Sequence, residues 1–178
     1  MVIPEGTTKI GAYGLAGIGD ISISYPSTLN TIGPCAFAYS NIKNFTIPSS
    51  VKVLNTSAFS YSNFSYIDIP NTLQTIDVQA FAYSNCTGAT WPTNYNSIGY
   101  NMFYQGKLKK FMIPNNVTNL GNGIFSGCPL EDVIIGSGIT NIPTSCFYNF
   151  SAKLNNVTLL STTPPTVGNS GLSVKSTT

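Results

Sequence analysis

Few side chains of this chain could carry out acid–base chemistry. The 178 residues include no histidine, which excludes imidazole-based catalytic triads. The carboxylates are Glu5, Asp20, Asp68, Asp77, Glu131 and Asp132. A carboxylate pair can hydrolyse glycosidic bonds only when the two groups stand close together. A repeat described below winds the chain into stacked coils. Asp68 and Asp132 point the same way but lie three coils apart, which is roughly 14 Å at the usual strand spacing. We therefore predict that the chain is not an enzyme.

The four cysteines do not show the spacing of a metal site or a disulfide framework. Cys35, Cys86, Cys128 and Cys146 fall at different positions of the repeat. We expect thiols packed in the core, with a Cys128–Cys146 disulfide as the alternative. The segment 17–20 has the glycine-aspartate pattern of a calcium turn, but it occurs once, whereas that motif binds by repetition. The sequence predicts no metal and no cofactor.

The chain carries unusually little charge. Charged residues make up 8% of it, against about 25% in ordinary globular domains, and the net charge is +2. Such a surface provides neither the counterion release that drives nucleic-acid binding nor a polybasic membrane patch. No apolar run approaches the ~20 residues that span a bilayer. We expect no nucleic-acid partner and no membrane insertion of this segment.

A repeat of 22 residues organises the chain. Each copy is marked by a bulky anchor residue, and the anchors are Leu15, Phe37, Phe59, Phe81, Phe103, Phe125 and Phe147. An aliphatic residue stands five places before every anchor. A period of this length indicates stacked units, in which each coil buries its apolar residues against the coils above and below. We number coils 1 to 7 by their anchors.

Each coil is predicted to hold one short strand and one or two helical turns. Polar and apolar residues alternate in 44–48 and 66–70, which is typical of a half-buried strand ended by its proline. Offsets of three, then four or five residues lead on to the anchor and fit tight helical turns. The polar segments 39–41, 61–63 and 83–85 then reverse the chain, with asparagine expected to take the left-handed conformation.

An outward row of side chains should run along the strands, seven and nine places after each anchor, because side chains alternate across a strand. In coils 1 and 2 these residues are small and polar. From coil 3 onward the candidate protein-binding residues are Tyr66, Asp68, Thr90, Lys110, Met112, Asp132 and Ile134. Binding energy concentrates in a few anchors, with tyrosine favoured. We predict a protein ligand across coils 3 to 6, with a dip at Gly88 that a partner side chain could enter.

Three tyrosines, Tyr39, Tyr61 and Tyr83, occupy one position in successive coils and should form an aromatic ladder. Packing alone would explain such a ladder, and an aromatic platform for a glycan is the alternative. Asn-x-Ser/Thr sequons occur at Asn44, Asn55, Asn63, Asn85, Asn116, Asn149 and Asn156. These sequons indicate glycosylation only if the source is eukaryotic.

The segments Ile32–Phe37 and Phe125–Leu130, in an array that runs from residue 3 to about 160, resemble the BspA-like (Treponema-type) leucine-rich repeat. The resemblance implies an α/β solenoid rich in β structure. Its expected form is a right-handed leucine-rich-repeat superhelix, with one short parallel strand per 22-residue coil on the concave side and short helical turns and loops on the convex side. We assign residues 1–163 to the array and residues 164–178 to a degenerate half-repeat or C-terminal tail.

The resemblance also carries an expectation about function. Proteins similar to this one are displayed on cells or secreted from them and act as adhesins. It implies an extracellular or cell-surface, non-catalytic module that binds a host-matrix or cell-surface protein through the concave sheet. Two alternatives stay open: a glycan-binding module that uses the Tyr39, Tyr61 and Tyr83 ladder, and a passive stalk that spaces another domain from the surface.

The sequence starts in the middle of a repeat. Ile3 and Pro4 stand in register with the later Ile-Pro pairs, which we expect of an excised or processed piece of a longer array. Without a polar cap before the first strands, Ile3 and Ile23 would border an open sheet edge. Open edges pair with other chains, so we expect self-association at this end.

Overall fold

The chain winds as a parallel β-solenoid of about seven turns. The structure is a computed structural model, and it describes residues 1–43, 45–148 and 154–172. Two sets of strands run along it, and both pair in parallel. The short-strand stack contains Lys9–Ile10, Thr31–Ile32, Val53–Leu54, Thr75–Ile76, Ser97–Ile98, Asn119–Leu120, Asn141–Ile142 and Thr166–Val167. The long-strand stack contains Tyr66–Asp68, Gly88–Thr90, Lys110–Ile113, Asp132–Ile135 and Asn156–Leu159.

The predicted α/β class and its helical turns are wrong, because the described residues contain strands and turns but no helix. The aliphatic residue five places before the anchor belongs to a second, short strand, such as Val53–Leu54, so coils 3 to 7 hold two strands instead of one. The turn around the anchor alternates in handedness. Residues two places before and after the anchor have positive φ, as at Cys35 (52°) and Tyr39 (59°). A helix needs consecutive right-handed residues, so this turn cannot be one.

The alternating turn ties neighbouring coils together through a set of hydrogen bonds that we call the turn stack. The N–H of Phe37 donates to the carbonyl of Ala58 in the next coil at 2.8 Å. The N–H of the following residue, Ala38, instead donates within its own turn to the Cys35 carbonyl at 3.0 Å. Successive N–H groups therefore donate in turn to the next coil and to their own turn, so the backbone groups of the turn form hydrogen bonds without a helix.

Tyrosine, rather than the predicted asparagine, takes the left-handed conformation in the reversal. The φ angle is 59° at each of Tyr39, Tyr61 and Tyr83. The tyrosine N–H must face the next coil, whereas the asparagine N–H two places on donates back to the previous coil, as Asn63 does to the Ser40 carbonyl at 2.7 Å. Left-handed non-glycine residues are uncommon, so the hydrogen bonds of the turn must offset their cost.

A column of anchor rings forms the centre of the core. The phenylalanine anchors from Phe37 to Phe147 stack nearly parallel, with ring centroids 5.1 to 5.8 Å apart. Each of these rings is at least 96% buried. The six phenylalanine anchors are therefore confirmed as core residues, whereas the first anchor, Leu15, is half-buried and packs against the core. Each ring packs against its neighbours in the column and so stabilises adjacent coils.

Both strand ladders are interrupted between coils 4 and 5. The first four short strands form one sheet that ends at Thr75–Ile76. In the long-strand stack, Gly88–Thr90 pairs only with the strand before it, and Lys110–Ile113 begins a separate three-stranded sheet. The last part of coil 4 carries two large rings, Trp91 and Tyr95, where coils 3 and 5 have aliphatic residues.

The turn stack nevertheless crosses this boundary. The N–H of Phe81 donates to the Met102 carbonyl at 3.1 Å, and the two anchor rings on either side stack at 5.5 Å. The short-strand ladder is interrupted once more, between coils 6 and 7, but only the boundary between coils 4 and 5 interrupts both ladders. We therefore distinguish a first block, coils 1 to 4 (residues 9–96), and a second block, coils 5 to 7 (residues 97–160).

All four cysteines are thiols, so Cys128 and Cys146 do not form a disulfide with each other. The Cys86 thiol donates to the Gly88 carbonyl, and the Cys128 thiol donates to the Phe103 carbonyl, both at 2.9 Å. Burial raises the pKa of Cys86 and of Cys128 to about 12. These thiols act as small core residues that stay protonated at neutral pH.

The chain continues its winding past coil 7. Thr166–Val167 pairs in parallel with Asn141–Ile142, and the carbonyl of Asn169 accepts a hydrogen bond from the Ser145 N–H at 3.1 Å. Leu172 packs against the core. The turn of coil 7 is therefore covered by residues 166–172.

Candidate functional site

The outward row of the sequence lies on the exposed face of the long-strand stack. Strand register places Asp68 beside Thr90, Lys110 beside Asp132 and Met112 beside Ile134. We call the predicted set the long-strand patch: Tyr66, Asp68, Thr90, Lys110, Met112, Asp132 and Ile134. Its large apolar members are open to solvent, since Tyr66 and Met112 are each 51% exposed and Ile134 is 37% exposed.

Five members of the patch line one groove of about 590 Å³: Tyr66, Lys110, Met112, Asp132 and Ile134. The structure does not place Asp68 and Thr90 in this groove; the Thr90 hydroxyl instead donates to the Asp68 carboxylate beside it. The groove also takes in Thr87, Ala89 and Lys109, which the sequence did not single out. Thr87 and Lys109 stand one place before the outward row, and Ala89 stands between its two positions, so the alternation of side chains did not select them.

The predicted dip at Gly88 is covered by a neighbouring ring. A Cβ atom built on Gly88 would stand 2.9 Å from Cδ2 of Tyr66. The tyrosine ring therefore leans over the glycine, and only a residue without a side chain fits beneath it. Gly88 serves to seat Tyr66 and does not open a cavity for a partner side chain.

A charged pair stands at the centre of the patch. Lys110 Nζ lies 2.8 Å from Asp132 Oδ2, and Asn156 Nδ2 donates to Asp132 Oδ1 at 2.7 Å. The hydrogen bond from Lys110, followed by that from Asn156, lowers the pKa of Asp132. The same contact raises the pKa of Lys110. Because these groups are exposed, the pair orients the side chains more than it stabilises the fold.

Asn156 is a member of this network that the sequence analysis treated only as a sequon. It pairs with Asp132 in register although the two are 24 residues apart instead of 22. Coil 7 contains two extra residues, which moves its outward row two places along the chain. Allowing for that insertion would have placed Asn156 beside Asp132.

The tyrosine ladder forms as predicted, but its rings cover one another. The Tyr39 and Tyr61 rings stack at 4.6 Å and 10°, and the Tyr61 and Tyr83 rings stack at 4.4 Å and 3°. Sugars pack on the face of an aromatic ring, and the faces inside this ladder are occupied by neighbouring tyrosines. Along most of its length the ladder therefore presents ring edges only.

An asparagine ladder runs beside the tyrosines. Asn63 Nδ2 donates to Asn41 Oδ1 at 2.7 Å, and Asn85 Nδ2 donates to Asn63 Oδ1 at 3.3 Å. The other described sequon asparagines, Asn55, Asn116 and Asn156, also use Nδ2 in a hydrogen bond to a neighbouring coil. Sequons Asn44 and Asn149 lie outside the described residues. The described sequon asparagines thus have a structural role between coils.

A second cleft, of about 1010 Å³, lies between coils 1 and 2. It is lined by residues of the segment 20–27, by Ile42 and by residues of the segment 45–50. Five lining residues carry hydroxyl groups on small side chains: Ser22, Ser27, Thr46, Ser49 and Ser50. The rings of Tyr25 and Phe45 contribute apolar surface. No sequence pattern indicates this cleft, because it lies where the outward residues are small and polar.

Within the part of the chain that the structure describes, no group of three or more His, Cys, Asp or Glu side chains could hold a metal ion. The same residues contain no helix of the length and apolar character needed to cross a membrane.

Comparison with solved structures finds related solenoids. A leucine rich cell surface protein from Faecalibacterium prausnitzii is 20% identical with a TM-score of 0.52, and the match covers 90% of this chain and 59% of that chain. A leucine-rich repeat protein from Bacteroides ovatus is 21% identical with a TM-score of 0.49, covering 94% of this chain and 56% of that one. The chain thus spans less than two thirds of either solved chain. Comparison with curated proteins finds no match.

The family comparison covers nearly the whole chain. The model described as BspA type Leucine rich repeat region (6 copies) matches residues 1–106 and 74–171. Its two matched ranges overlap and together span coils 1 to 7, in agreement with the 22-residue repeat and the stacked strands. The chain therefore belongs to the BspA-type leucine-rich repeat family.

Proposed function

We propose that this chain is a non-catalytic binding module of an extracellular or cell-surface protein, and that it adheres to a protein ligand through the long-strand patch. Support for the location comes from the family and from the Faecalibacterium prausnitzii relative, which is described as a cell surface protein. Support for the mode of action comes from the patch itself, because a repeat array presents a row of variable side chains on its stacked coils. Here that row runs from coil 3 to coil 6, across the boundary between the two long-strand sheets.

The observation that carries the proposal is the group of exposed apolar side chains around a charged pair. Tyr66, Met112 and Ile134 are large and solvent-exposed, and they line one groove together with Lys110 and Asp132. Tyrosine and methionine are enriched at protein interfaces. Lys110 and Asp132 already neutralise each other, so a partner can cover them without supplying an opposite charge. We expect the partner to be a host-matrix or cell-surface protein.

The two alternatives receive less support. The stacked faces of Tyr39, Tyr61 and Tyr83 argue against a glycan platform along the whole ladder. A passive stalk needs no preferred face, yet the outward row of the long-strand stack carries the large exposed side chains Tyr66, Met112 and Ile134. The equivalent residues of coil 1, Ser22 and Ser24, are small.

Alanine substitutions on the two candidate surfaces test the proposal. Tyr66→Ala, Met112→Ala and Ile134→Ala should each weaken binding to immobilised matrix proteins or whole cells by roughly tenfold, as for interface anchors. The matched control is Tyr61→Ala in the tyrosine ladder, which should leave binding unchanged. Loss of binding in the ladder variant alone, with the three patch variants unaffected, would remove the long-strand patch from consideration.

A further inference from the structure

The tyrosine and asparagine ladders both end at coil 1, and they end on glycines. At the ladder positions of coils 2, 3 and 4 stand Tyr39-Ser40-Asn41, Tyr61-Ser62-Asn63 and Tyr83-Ser84-Asn85. Coil 1 has Gly17 and Gly19 in place of the tyrosine and the asparagine. A Cβ atom built on either glycine would meet no heavy atom within 4 Å. The structure thus forms an open step beside coil 2.

This step exposes one aromatic face. The inner face of Tyr39 is covered by Tyr61, whereas no described ring stacks on its outer face, which lies on the side of Gly17. Exposure decreases along the ladder from 64% at Tyr39 to 44% at Tyr61 and 38% at Tyr83. The far end is closed differently, because Tyr104 packs edge-on against Tyr83 at 5.4 Å. The outer face of Tyr39 is therefore the accessible ring face of the ladder.

The same step leaves an amide donor without a partner. Each asparagine of the ladder donates from Nδ2 to the Oδ1 of the asparagine one coil earlier. This series of hydrogen bonds ends at Asn41. Its Nδ2 has no hydrogen-bond partner among the described residues, because coil 1 has Gly19, which lacks a side chain, at the asparagine position. Asp20, the next residue, supplies carboxylate oxygens close by; its Oδ2 lies 3.3 Å from Lys43 Nζ, and its Oδ1 accepts from the Lys43 N–H at 3.4 Å.

The cleft of about 1010 Å³ between coils 1 and 2 begins beside the step, because Asp20 and Ile42, the residues that follow Gly19 and Asn41, belong to its lining. Beyond Asp20 the cleft presents serine and threonine hydroxyls and the rings of Tyr25 and Phe45. The Tyr25 hydroxyl oxygen is buried and has no hydrogen-bond partner among the described residues. An uncovered ring face, a free amide, a carboxylate and a hydroxyl-lined cleft are together the groups that bind a polyhydroxylated ring through its C–H face and its hydroxyls.

We propose that the coil 1 end of the two ladders, together with the adjoining cleft, binds a neutral oligosaccharide. One pyranose ring packs on Tyr39 and accepts from Asn41 Nδ2, and the following sugars enter the cleft. The ligand is neutral because Asp20 and Lys43 already neutralise each other, while Glu5 at the far rim accepts from the Ser27 N–H and would repel an anion. The site is separate from the long-strand patch, so either can fail without the other.

The sequence of the ladder itself suggests the sharpest variant. Gly17→Tyr extends the tyrosine ladder by one ring and covers the outer face of Tyr39. It should fold normally, since Gly17 has φ of 68°, close to the 59° at which the three ladder tyrosines already stand. The matched control is Gln105→Tyr, which adds a tyrosine at the equivalent left-handed position, φ 54°, of coil 5. Both variants change the ladder by one ring, but only the first blocks the step.

The measurement is titration calorimetry with β-linked tetrasaccharides of glucose, galactose and mannose, after circular dichroism has verified that each variant is folded. At least one neutral tetrasaccharide should bind the unmodified chain. The Gly17→Tyr and Asn41→Leu variants should bind it roughly tenfold more weakly, and Gln105→Tyr equally well. The proposal is overturned if none of the three binds the unmodified chain, or if Gly17→Tyr binds as tightly as Gln105→Tyr. A sialylated analogue that binds as well as its neutral parent would overturn the argument from charge.

Discussion

The first and second blocks share one 22-residue plan but differ in which side of the coil is regular. In the first block the turn side repeats faithfully over coils 2 to 4, with stacked tyrosines and hydrogen-bonded asparagines, and the short strands of coils 1 to 4 form one four-stranded sheet. In the second block the turn side carries Gln105 and Gly127 at the tyrosine position, whereas the long strands form a three-stranded sheet. The regular side is therefore the turn side before the boundary between coils 4 and 5, and the long-strand side after it.

This difference separates residues that hold the coils together from residues that are free to vary. A ladder forms only when the same side chain returns in every coil, because each member bonds to its own kind one coil away. The outward row makes no such demand, and there the second block carries Lys110, Met112, Asp132 and Ile134 in place of small polar groups. The first block is therefore a scaffold whose two ladders stop at coil 2, and the second block provides most of the long-strand patch.

Removing an anchor ring should have the largest effect, and the two blocks should differ. Phe59 packs against Phe37, Phe45 and Phe81 at 5.1, 4.8 and 5.6 Å, whereas Phe147 has one described ring neighbour, Phe125 at 5.3 Å. Phe59→Ala should lower the free energy of unfolding by about 3–5 kcal/mol, and Phe147→Ala by less. Urea denaturation of both variants measures the difference, and an equal loss would contradict the unequal packing.

Alkaline pH should weaken both blocks through their buried thiols. Burial raises the pKa of Cys86 in the first block and of Cys128 in the second from 9.0 to about 12. In the unfolded chain these thiols ionise above pH 9 while the folded chain keeps them protonated. The stability they contribute is therefore complete below pH 9 and is lost between pH 9 and 12, by up to roughly 1.4 kcal/mol per pH unit and thiol.

Urea denaturation under reducing conditions at about pH 8 and about pH 11 measures this loss. The variants Cys86→Ala and Cys128→Ala should each show a smaller decline than the unmodified chain, which assigns the loss to one block or the other. A free energy of unfolding that stays constant over this range would show that the thiolates are accommodated in the fold.

The sequence was sufficient to predict the repeat, the anchors and the outward row, because each follows from a simple period. It did not predict the short strands or the two-block arrangement. Val53–Leu54 is too short for alternation to be recognised, and its spacing to Phe59 equally fits a helical turn. Tyr39 takes a left-handed φ because of hydrogen bonds to coil 3 that no local propensity encodes. The open step at Gly17 became visible only once the ring faces were placed.

A buried hydroxyl distinguishes coil 1 from the second block at a core position. Ten places after the anchor stand Tyr25 in coil 1 and Ile113 and Ile135 in coils 5 and 6, and the Tyr25 hydroxyl is buried without a described partner. Tyr25→Phe should raise the free energy of unfolding by about 1 kcal/mol, since it removes an unsatisfied group. Tyr61→Phe, an exposed control, should leave it unchanged. A loss of stability in Tyr25→Phe would show that the hydroxyl is satisfied in solution.

The smallest effects should come from the asparagines between coils. Asn63 in the first block forms an exposed side-chain ladder, whereas Asn116 in the second block donates to the Tyr95 carbonyl at 2.6 Å in a partly buried site. Asn63→Ala should cost about 0.5 kcal/mol and Asn116→Ala about 1 kcal/mol, as for ordinary hydrogen bonds of differing burial. Thermal denaturation of the pair measures the order, and the reverse order would mean that the exposed ladder contributes more than its single bonds.

Hydrogen exchange of the chain bound to its protein ligand tests the central claim most directly. If the ligand binds the long-strand patch, binding should slow amide exchange in Tyr66–Asp68, Gly88–Thr90, Lys110–Ile113 and Asp132–Ile135. Exchange in the turn segments around Tyr39 and Tyr61 should stay as it is in the free chain. Slower exchange confined to those turn segments, with the four long strands unchanged, would place the ligand on the ladder side and contradict the assignment of the long-strand patch.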